Sequence, residues 1–415
     1  MTPPPNAEGR ALGSTIGFRE FVALMAAIMA MQALGIDAML AALPEIGKAL
    51  GVSDENRRQL IVAAYMFGFG TTQIVYGPMA DRFGRKPILL LSMILFGVTS
   101  LVASFAASFS LLIVARVLQG MSAAAGRVIV VSVVRDRYSG RQMARVMSLT
   151  VIVFLLAPIL APSIGQLLLF VGPWRLIFDA LAFYAFAIAL WSAIRLPETL
   201  DPANRRPIAV RPLASAFAQV LGDRYSVGYT LALTLTFGSL LGYVSSAQQI
   251  FADCFNRPQL FALAFAISAA SMGASAFVNS RIVEAYGSRR ISHGALLFAL
   301  GVIGLHAFWA IQIGEGMISF ITFQSVTMFF LGFVGSNFNA MAMEPMGKIA
   351  GTASSIQGTL STLGASLVGY LIGQGFNGTT LPVVFGYGIC ASVALLIVLV
   401  TERGRLFRPQ HAIVQ

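Results

Sequence analysis

The sequence predicts an all-α membrane protein with twelve transmembrane helices in two homologous halves. Hydrophobic residues make up 57% of the 415 residues and charged residues only 11%, and the mean hydropathy is +0.79. Apolar segments close to the roughly 20 residues that cross a bilayer recur along nearly the whole chain. A short charged pattern also returns about 200 residues after its first occurrence, which is typical of an internal repeat.

Polar breaks between the apolar segments set the predicted helix boundaries. The first apolar segment is too long for a secretory signal and contains Asp37, so we interpret it as a retained helix. The predicted helices are Phe18–Leu43, Gln59–Ala80, Pro87–Phe109, Leu111–Val134, Met143–Val171, Leu176–Ile194, Ser226–Phe251, Pro258–Val283, Ile291–Ile313, Met317–Ala342, Ile349–Gly375 and Leu381–Val400.

The distribution of Lys and Arg predicts the orientation. Of the 28 basic residues, 21 fall on the side of the membrane that holds both termini, five fall on the other side, and Arg116 and Arg127 fall within the membrane. Because cytoplasmic loops retain Lys and Arg, we expect both termini in the cytoplasm. The predicted domains are a tail (1–17), a six-helix bundle (18–195), a proline-rich polar linker (196–224), a second six-helix bundle (225–400) and a tail (401–415).

A net charge of +11 raises the possibility of nucleic-acid binding. The basic residues lie in short loops between helices rather than in one cluster, so we expect no nucleic-acid partner. Cys254 and Cys390 are isolated and far apart, which argues against a disulfide framework or a zinc site.

The most specific motif is Gly77–Lys86, with the sequence GPMADRFGRK. Its acidic residue, aromatic residue, glycine and basic pair return in Glu284–Arg290 at the end of the eighth predicted helix. The motif resembles the loop signature between the second and third helices of the major facilitator superfamily. The resemblance implies that family's fold of two pseudo-symmetric six-helix bundles and a conformational latch formed by Gly77, Asp81, Arg82, Gly84, Arg85 and Lys86. In this motif we expect Gly77 to let a neighbouring helix approach. The alternative is an ordinary basic loop on the cytoplasmic side.

Arg116 begins the segment RVLQG in the fourth predicted helix. This segment looks like the superfamily's intramembrane arginine motif, which implies a role in proton coupling. An arginine at that depth needs a partner or water, and the alternative is that it extends to a nearby surface. Arg127, further along the helix, is a candidate cavity residue or approaches the cytoplasmic edge.

Ala157–Gln166, with the sequence APILAPSIGQ, lies in the fifth predicted helix. It resembles the antiporter signature of drug exporters in the superfamily, and the residues assigned to that motif are Pro158, Ala161, Pro162 and Gly165. Two prolines favour a bend, and a bent structural helix without influence on coupling is the alternative. Alanines replace glycines of the broader pattern at 157 and 161, so antiport is favoured over symport without being fixed.

Later segments narrow the resemblance. Trp174–Phe178, Leu196–Thr199, Glu344–Pro345 and Gly351–Ser355 together look like the bicyclomycin and chloramphenicol resistance branch of the drug:proton antiporters. The resemblance extends from the first helix to the eleventh. It implies proton-coupled drug efflux across a bacterial inner membrane, with a small-molecule substrate, no metal and no cofactor beyond the proton gradient.

Asp37 is the acidic residue placed well inside the first predicted helix. Burial and a neighbouring arginine both influence the proton affinity of a carboxylate, so opening a cavity to either side changes its proton occupancy. We therefore expect Asp37 to bind the coupling proton, Arg116 to modulate it, and a cationic or neutral drug to compete with it. An aspartate near the headgroups is the alternative.

Further polar residues are candidates for the substrate cavity, although hydrogen bonds between helices explain them equally well. They are Gln73, Tyr76, Gln119, Arg127, Gln248, Gln249, Asn337 and Asn339. We expect a monomer in the bilayer. The rival functions are transport of a metabolite such as an amino acid or sugar and, more distantly, a membrane-embedded enzyme, for which no HExxH or GxSxG motif is present.

Overall fold

The computed structural model of the chain describes residues 16–205 and 210–407, without the side chains of residues 144, 148, 151–155, 210–212 and 348. Most of the predicted tails at 1–17 and 401–415, and residues 206–209 of the predicted linker, therefore lie outside the described residues. The described residues form helices and connecting turns, without a β-strand.

Twelve helices of at least 20 residues occur in the described part of the chain, and each matches one predicted span in order. They are α1 (Phe18–Asp37), α2 (Leu60–Phe83), α3 (Arg85–Ser104), α4 (Phe109–Arg137), α5 (Gly140–Val171), α6 (Arg175–Arg195), α7 (Arg224–Gln249), α8 (Phe261–Tyr286), α9 (Ser288–Gln312), α10 (Met317–Met343), α11 (Ala350–Gln374) and α12 (Leu381–Thr401).

Ten of these helices are long and apolar enough to cross a membrane, and the other two are α5 and α11. In α5 the described apolar segment is Leu156–Val171. The polarity of α11 comes from buried side chains, among them Gln357, Thr362 and Ser366. All three bond to another helix, so α11 is polar where it faces protein rather than lipid.

The packing pattern repeats after six helices. In the first bundle α2 packs on α4, α3 on α6, and α1 on α5; in the second, α8 packs on α10, α9 on α12, and α7 on α11. The two bundles meet mainly where α2 packs on α11 and where α5 packs on α8. A shift of six helices converts one of these contacts into the other, so the bundles are pseudo-symmetric, as predicted. The residue boundaries of the two domains stay a prediction.

One helix was missed in the linker, which the sequence analysis interpreted as a polar connection. Val210–Gly222 is helical, and its Ala216 and Val220 pack in an apolar cluster with Met346, Ala353 and Ile356 beside α11. The four prolines of the linker suggested an irregular connection, so this amphipathic helix was not predicted. Three of the prolines precede the helix, and Pro212 stands in its first turn, where proline is tolerated.

The first bundle carries a charged cluster where α2 ends and α3 begins. We call this end of the protein the basic end, and the other the opposite end. Gly84 has φ +105°, a conformation open to glycine, and it makes the turn between the helices. Arg85 pairs with Asp81 and places Nε 3.1 Å from Asp136 Oδ2 at the end of α4. The carboxylate of Glu198 accepts hydrogen bonds from the backbone N–H groups of Arg85 (2.9 Å) and Lys86 (3.2 Å).

The second bundle repeats this cluster with different acids. Gly287 has φ +77° at the matching turn. Arg289 donates to Glu344 at the end of α10 (3.3 Å) and to Glu402 after α12 (2.9 Å). Tyr229 also donates to Glu402, at 2.6 Å. The repeat seen in the sequence thus corresponds to one arginine in each bundle that ties three helices together.

We expect Glu198→Ala to destabilise the protein, because the first N–H groups of α3 lose the carboxylate that accepts their hydrogen bonds. Loss of such a cap costs about 1 kcal/mol, which corresponds to a fall in Tm of roughly 2–4 °C in detergent. The matched control is Asp201→Ala nearby, which removes a carboxylate that bonds only within its own short turn. An equal Tm for both variants would contradict a capping role for Glu198.

Candidate functional site

Asp37 is the last residue of α1, and its side chain is only 6% exposed. The helix ends there rather than at Leu43, and the chain continues through a 3₁₀ turn (Leu40–Ala42) and a short helix (Leu43–Ala49). Within the described residues the Asp37 carboxylate has no hydrogen bond and no ion pair. A buried carboxylate without a partner is costly when charged, so access of water controls its charge.

The segment with the antiporter-like sequence packs directly on the end of α1. A Cβ atom at Gly165 would overlap the carbonyl oxygen of Ala38, the residue after Asp37. Ala157 forms a small apolar cluster with Ala30 and Ala33 of α1. The helix α5 continues through Pro158 and Pro162 without interruption. Small residues on α5 therefore bring its backbone against the segment that carries Asp37.

Arg116 is completely buried in the first bundle. Its Nε donates to the carbonyl oxygen of Ile61 on α2 (3.3 Å), and Nη1 donates to Gln119 Oε1. Gln119 in turn donates to Ser100 Oγ on α3 at 2.6 Å. Nη2 is buried without a hydrogen-bond partner in the described structure. Arg116 thus has no carboxylate partner there, and it does not pair with Asp37.

Tyr65 on α2 lies between Arg116 and α1, and sequence reasoning missed it. The Arg116 guanidinium lies 4.4 Å from the centroid of the Tyr65 ring, a favourable cation–π distance. The Tyr65 hydroxyl donates to the carbonyl oxygen of Gln32 at 3.3 Å, and a Cβ atom at Gly35 would lie 2.7 Å from that hydroxyl. Arg116 therefore contacts the helix of Asp37 through an aromatic ring. The small Gly35 opposite the ring was the available signal.

The other candidate residues for the substrate cavity do not lie together on one surface. Gln73 bonds to Thr362 Oγ1 across the interface between bundles (3.0 Å), Gln119 bonds within the first bundle, and Asn337 donates to Asn279 on α8 (2.8 Å). Gln248 is buried, Tyr76 is half-buried, and Asn339 and Arg127 are exposed. Gln73, Gln119 and Asn337 therefore bond between helices, the alternative that the sequence left open.

Among the predicted latch residues, Asp81, Gly84, Arg85 and Lys86 belong to the basic-end cluster, where Lys86 Nζ also donates to Ala193 at 2.8 Å. The Arg82 guanidinium lies 5.3 Å from the ring of Phe83. No helix approaches Gly77 here, because a Cβ atom there would meet nothing within 4 Å. The expected close approach at Gly77 is therefore absent from this conformation.

Four polar residues join the two bundles at the opposite end: Asn56, Gln59, Gln249 and Gln374. We call them the polar clasp. Gln59 Nε2 donates to Gln249 Oε1 at 2.6 Å, and Gln249 Nε2 donates to Asn56 Oδ1 at 3.1 Å. Gln374 Nε2 donates to the carbonyl oxygen of Asn56 at 2.7 Å, and Asn56 Nδ2 donates to that of Phe376 at 2.9 Å.

The polar clasp indicates which end is closed. Gln166 on α5 adds a bond to the carbonyl oxygen of Gln259 at the same end, 3.2 Å long, and Ser366 bonds to Ala63 just inside the clasp (3.1 Å). Of these hydrogen bonds between the bundles, the one from Gln73 to Thr362 lies nearest to the basic end, and it is close to the middle of α2. In the described residues, hydrogen bonds therefore hold the bundles together from the opposite end to the middle of the protein.

The chemistry of a metal site is not present in the part of the chain that the structure describes. Among those residues, no group of three or more His, Cys, Asp or Glu side chains is arranged to hold a metal ion. Cys254 and Cys390 are both free thiols.

We expect Gln249→Ala to favour opening of the opposite end. The substitution leaves the buried side-chain amide of Gln59 and the side-chain Oδ1 of Asn56 without their partners. The cost is about 2 kcal/mol, or roughly a 30-fold shift between open and closed states. Spin labels at Ser53 and Gln259, exposed residues of the two bundles at that end, report the distance by double electron–electron resonance.

The matched control for this experiment is Gln248→Ala. It removes the neighbouring amide of the same helix, which makes no bond in the clasp. We expect longer label distances in Gln249→Ala alone. Unchanged distances in Gln249→Ala, or the same shift in both variants, would show that the clasp does not hold this end closed.

Comparisons with known proteins agree on one family. The sequence pattern described as Major Facilitator Superfamily matches residues 25–369. The chain is 29% identical to the bicyclomycin resistance protein homolog of Haemophilus influenzae over 381 residues, which cover 91% of this chain and 94% of that protein. It is 27% identical to the multidrug resistance protein MdtL of Klebsiella pneumoniae over 386 residues, which cover 90% and 94% of the two chains.

A solved structure shares the fold. The crystal structure of a D-xylose–proton symporter superposes with a TM-score of 0.72 and 14% sequence identity, covering 91% of this chain and 96% of that one. At this identity the likeness extends to the arrangement of helices.

Proposed function

The chain belongs to the major facilitator superfamily, and from this premise we propose that it is a proton-coupled antiporter that exports drug-like small molecules by alternating access. The observation that carries the proposal is the buried, unpartnered carboxylate of Asp37 at the point where α5 packs on α1. The names of the two relatives, a bicyclomycin resistance homolog and a multidrug resistance protein, support drugs as the substrate class.

We place the protein in a bacterial inner membrane as a monomer, with both termini in the cytoplasm. The excess of Lys and Arg at the basic end supports this orientation. The basic end then faces the cytoplasm, and the polar clasp closes the periplasmic end. In this conformation the substrate enters from the cytoplasm.

Transport then requires the two bundles to rock about α2–α11 and α5–α8, the helix pairs at which they meet. Opening of the clasp exposes the end of α1 to the periplasm, and Asp37 takes up a proton there as the drug leaves. Return to the present conformation carries the proton inward, and release of the proton to the cytoplasm allows the next drug to bind. The proton gradient supplies the energy, so the cycle needs no cofactor.

Arg116 acts in this cycle as a fixed positive charge. Its contacts with Ile61, Tyr65 and Gln119 keep it inside the first bundle. Through Tyr65 it responds to movement of α1 against α2, because the tyrosine hydroxyl bonds to the backbone of α1. Arg116 is therefore a positioning residue for the segment that carries Asp37 and not a substrate ligand.

We expect expression in an efflux-deficient host to raise the minimal inhibitory concentrations of bicyclomycin, chloramphenicol or other drugs at least fourfold. The control is a host that expresses Arg85→Ala, a variant of the charged cluster at the basic end, at equal membrane levels. It corrects for the effect of membrane-protein expression itself on growth. Unchanged susceptibility to a broad drug panel, combined with accumulation of an amino acid or sugar outside the cells, would replace drug export with metabolite export.

We expect Asp37→Asn to abolish coupling while leaving the fold intact, because the amide is close in size but binds no proton. In everted vesicles with an acidic interior, addition of drug releases protons from the wild type and should release none from the variant. Glu45→Gln, a change at an exposed acid shortly after Asp37, is the control and should behave as the wild type does. Drug-dependent proton release by Asp37→Asn at the wild-type rate would remove Asp37 from the coupling step.

A further inference from the structure

Arg127 is an exposed arginine within α4, and its exposure is not to lipid. The lipid-facing side chains of this helix include Val114 and Leu118, which are 56% and 45% exposed. Arg127 follows Leu118 by nine residues, which places it on the other side of the helix at 3.6 residues per turn. It follows the buried Arg116 by eleven residues, so it shares the inward face of Arg116 about 16 Å further along.

The depth of Arg127 requires water around it. It lies ten residues before Arg137, the last residue of α4, and therefore about 15 Å from the basic end. A guanidinium at this depth is costly without water or a partner. Since the hydrogen bonds between the bundles extend from the opposite end only to the middle, the exposed face around Arg127 belongs to a space that opens at the basic end. We call this space the inner vestibule.

No acid in the described residues compensates the charge of Arg127. The acids near the basic end are engaged elsewhere: Asp81 and Asp136 with Arg85, Glu20 with Arg195, and Glu344 and Glu402 with Arg289. Asp37 lies at the far end of α1, about 28 Å along the helix from Phe18 at the basic end. The inner vestibule therefore carries an unpaired positive charge.

We propose that Arg127 binds a carboxylate of the substrate in the inner vestibule, so that acidic or zwitterionic molecules are preferred substrates. This inference rests on the proposed export function. A guanidinium offers two parallel N–H donors to a carboxylate, and a positive charge in a low-dielectric channel attracts anions from the cytoplasm. The same charge repels cations, so the preferred substrates differ from the cationic or neutral drugs expected from the sequence.

The test uses purified protein in proteoliposomes with a pH gradient and three probes. Norfloxacin carries a carboxylate, its methyl ester lacks that charge, and chloramphenicol serves as a neutral reference. The wild type should transport the acid with a KM at least tenfold below that of the ester. Arg127→Gln should raise the KM of the acid roughly tenfold, because loss of a charged hydrogen bond weakens binding by about that factor. The KM of the ester should not rise, because its protonated piperazine makes it a cation and the variant removes the charge that repels it.

Two further variants make the result specific. Arg127→Lys keeps the charge but not the paired donors and should give an intermediate KM for the acid. Arg141→Gln removes an exposed arginine at the basic end outside the inner vestibule and should leave the ratio of acid to ester unchanged. A size-exclusion profile equal to that of the wild type establishes folding of each variant.

Each outcome separates the inference from the proposed function. Three results would overturn the role of Arg127. They are equal KM values for acid and ester in the wild type, a ratio of these KM values that Arg127→Gln leaves unchanged, and a change of this ratio in Arg141→Gln as large as that in Arg127→Gln. Transport of chloramphenicol without transport of either norfloxacin form would also overturn this role while leaving drug export in place. If none of the three probes is transported, both the role of Arg127 and the proposed drug export are wrong.

Discussion

Contact between the two bundles depends on α2 more than on any other helix of the first bundle. Its face toward α11 carries Gln73, which bonds across the interface, and the turn just before α2 supplies Asn56 and Gln59 to the polar clasp. The same helix holds Arg116 through the carbonyl oxygen of Ile61 and the ring of Tyr65. A rocking movement that displaces α2 from α11 therefore also moves the contacts of the buried arginine.

This arrangement links the closed end to the proton site by direct contacts. From the clasp, α2 leads to Tyr65, whose hydroxyl bonds to Gln32 on α1, and α1 ends at Asp37 one and a half turns later. Gly165 of α5 packs on the other side of that end. The last turns of α1 thus contact two helices, α2 and α5, that both contact the second bundle. Separation of the bundles at this end changes the access of water to Asp37 without a separate gate.

The sequence predicted the helices well because each one must satisfy its backbone internally and bury apolar side chains or expose them to lipid. Asp37 and Arg116 were found for the same reason, since a charge inside an apolar segment is conspicuous. The polar clasp was not predicted, because Gln59 and Gln249 are separated by 190 residues and their contact depends on how two bundles are turned toward each other. Tyr65 was missed because aromatic residues are common in membrane helices, and the one signal for it, the small Gly35 opposite its ring, lies on another helix. The roles of all these residues stay predictions.

The pseudo-symmetry of the fold also allows the charged positions of the two bundles to be compared. Arg116 is the eighth residue of α4, and the eighth residue of α10 is Gln324, a neutral side chain that donates to Tyr387 at 2.9 Å. The second bundle keeps its ion pairs near its ends, with Arg289–Glu402 at the basic end and His306–Glu315 at the opposite end.

Charges within the membrane helices are therefore a property of the first bundle, where Asp37 lies at the end of α1 and Arg116 and Arg127 lie at two positions along α4. If both bundles carried such charges, each conformation would have to hydrate two charged faces, at a cost that rises with every exposed ion. A neutral second bundle avoids this cost. It leaves the first bundle to bind the proton and the charged group of the substrate, at separate positions along α1 and α4.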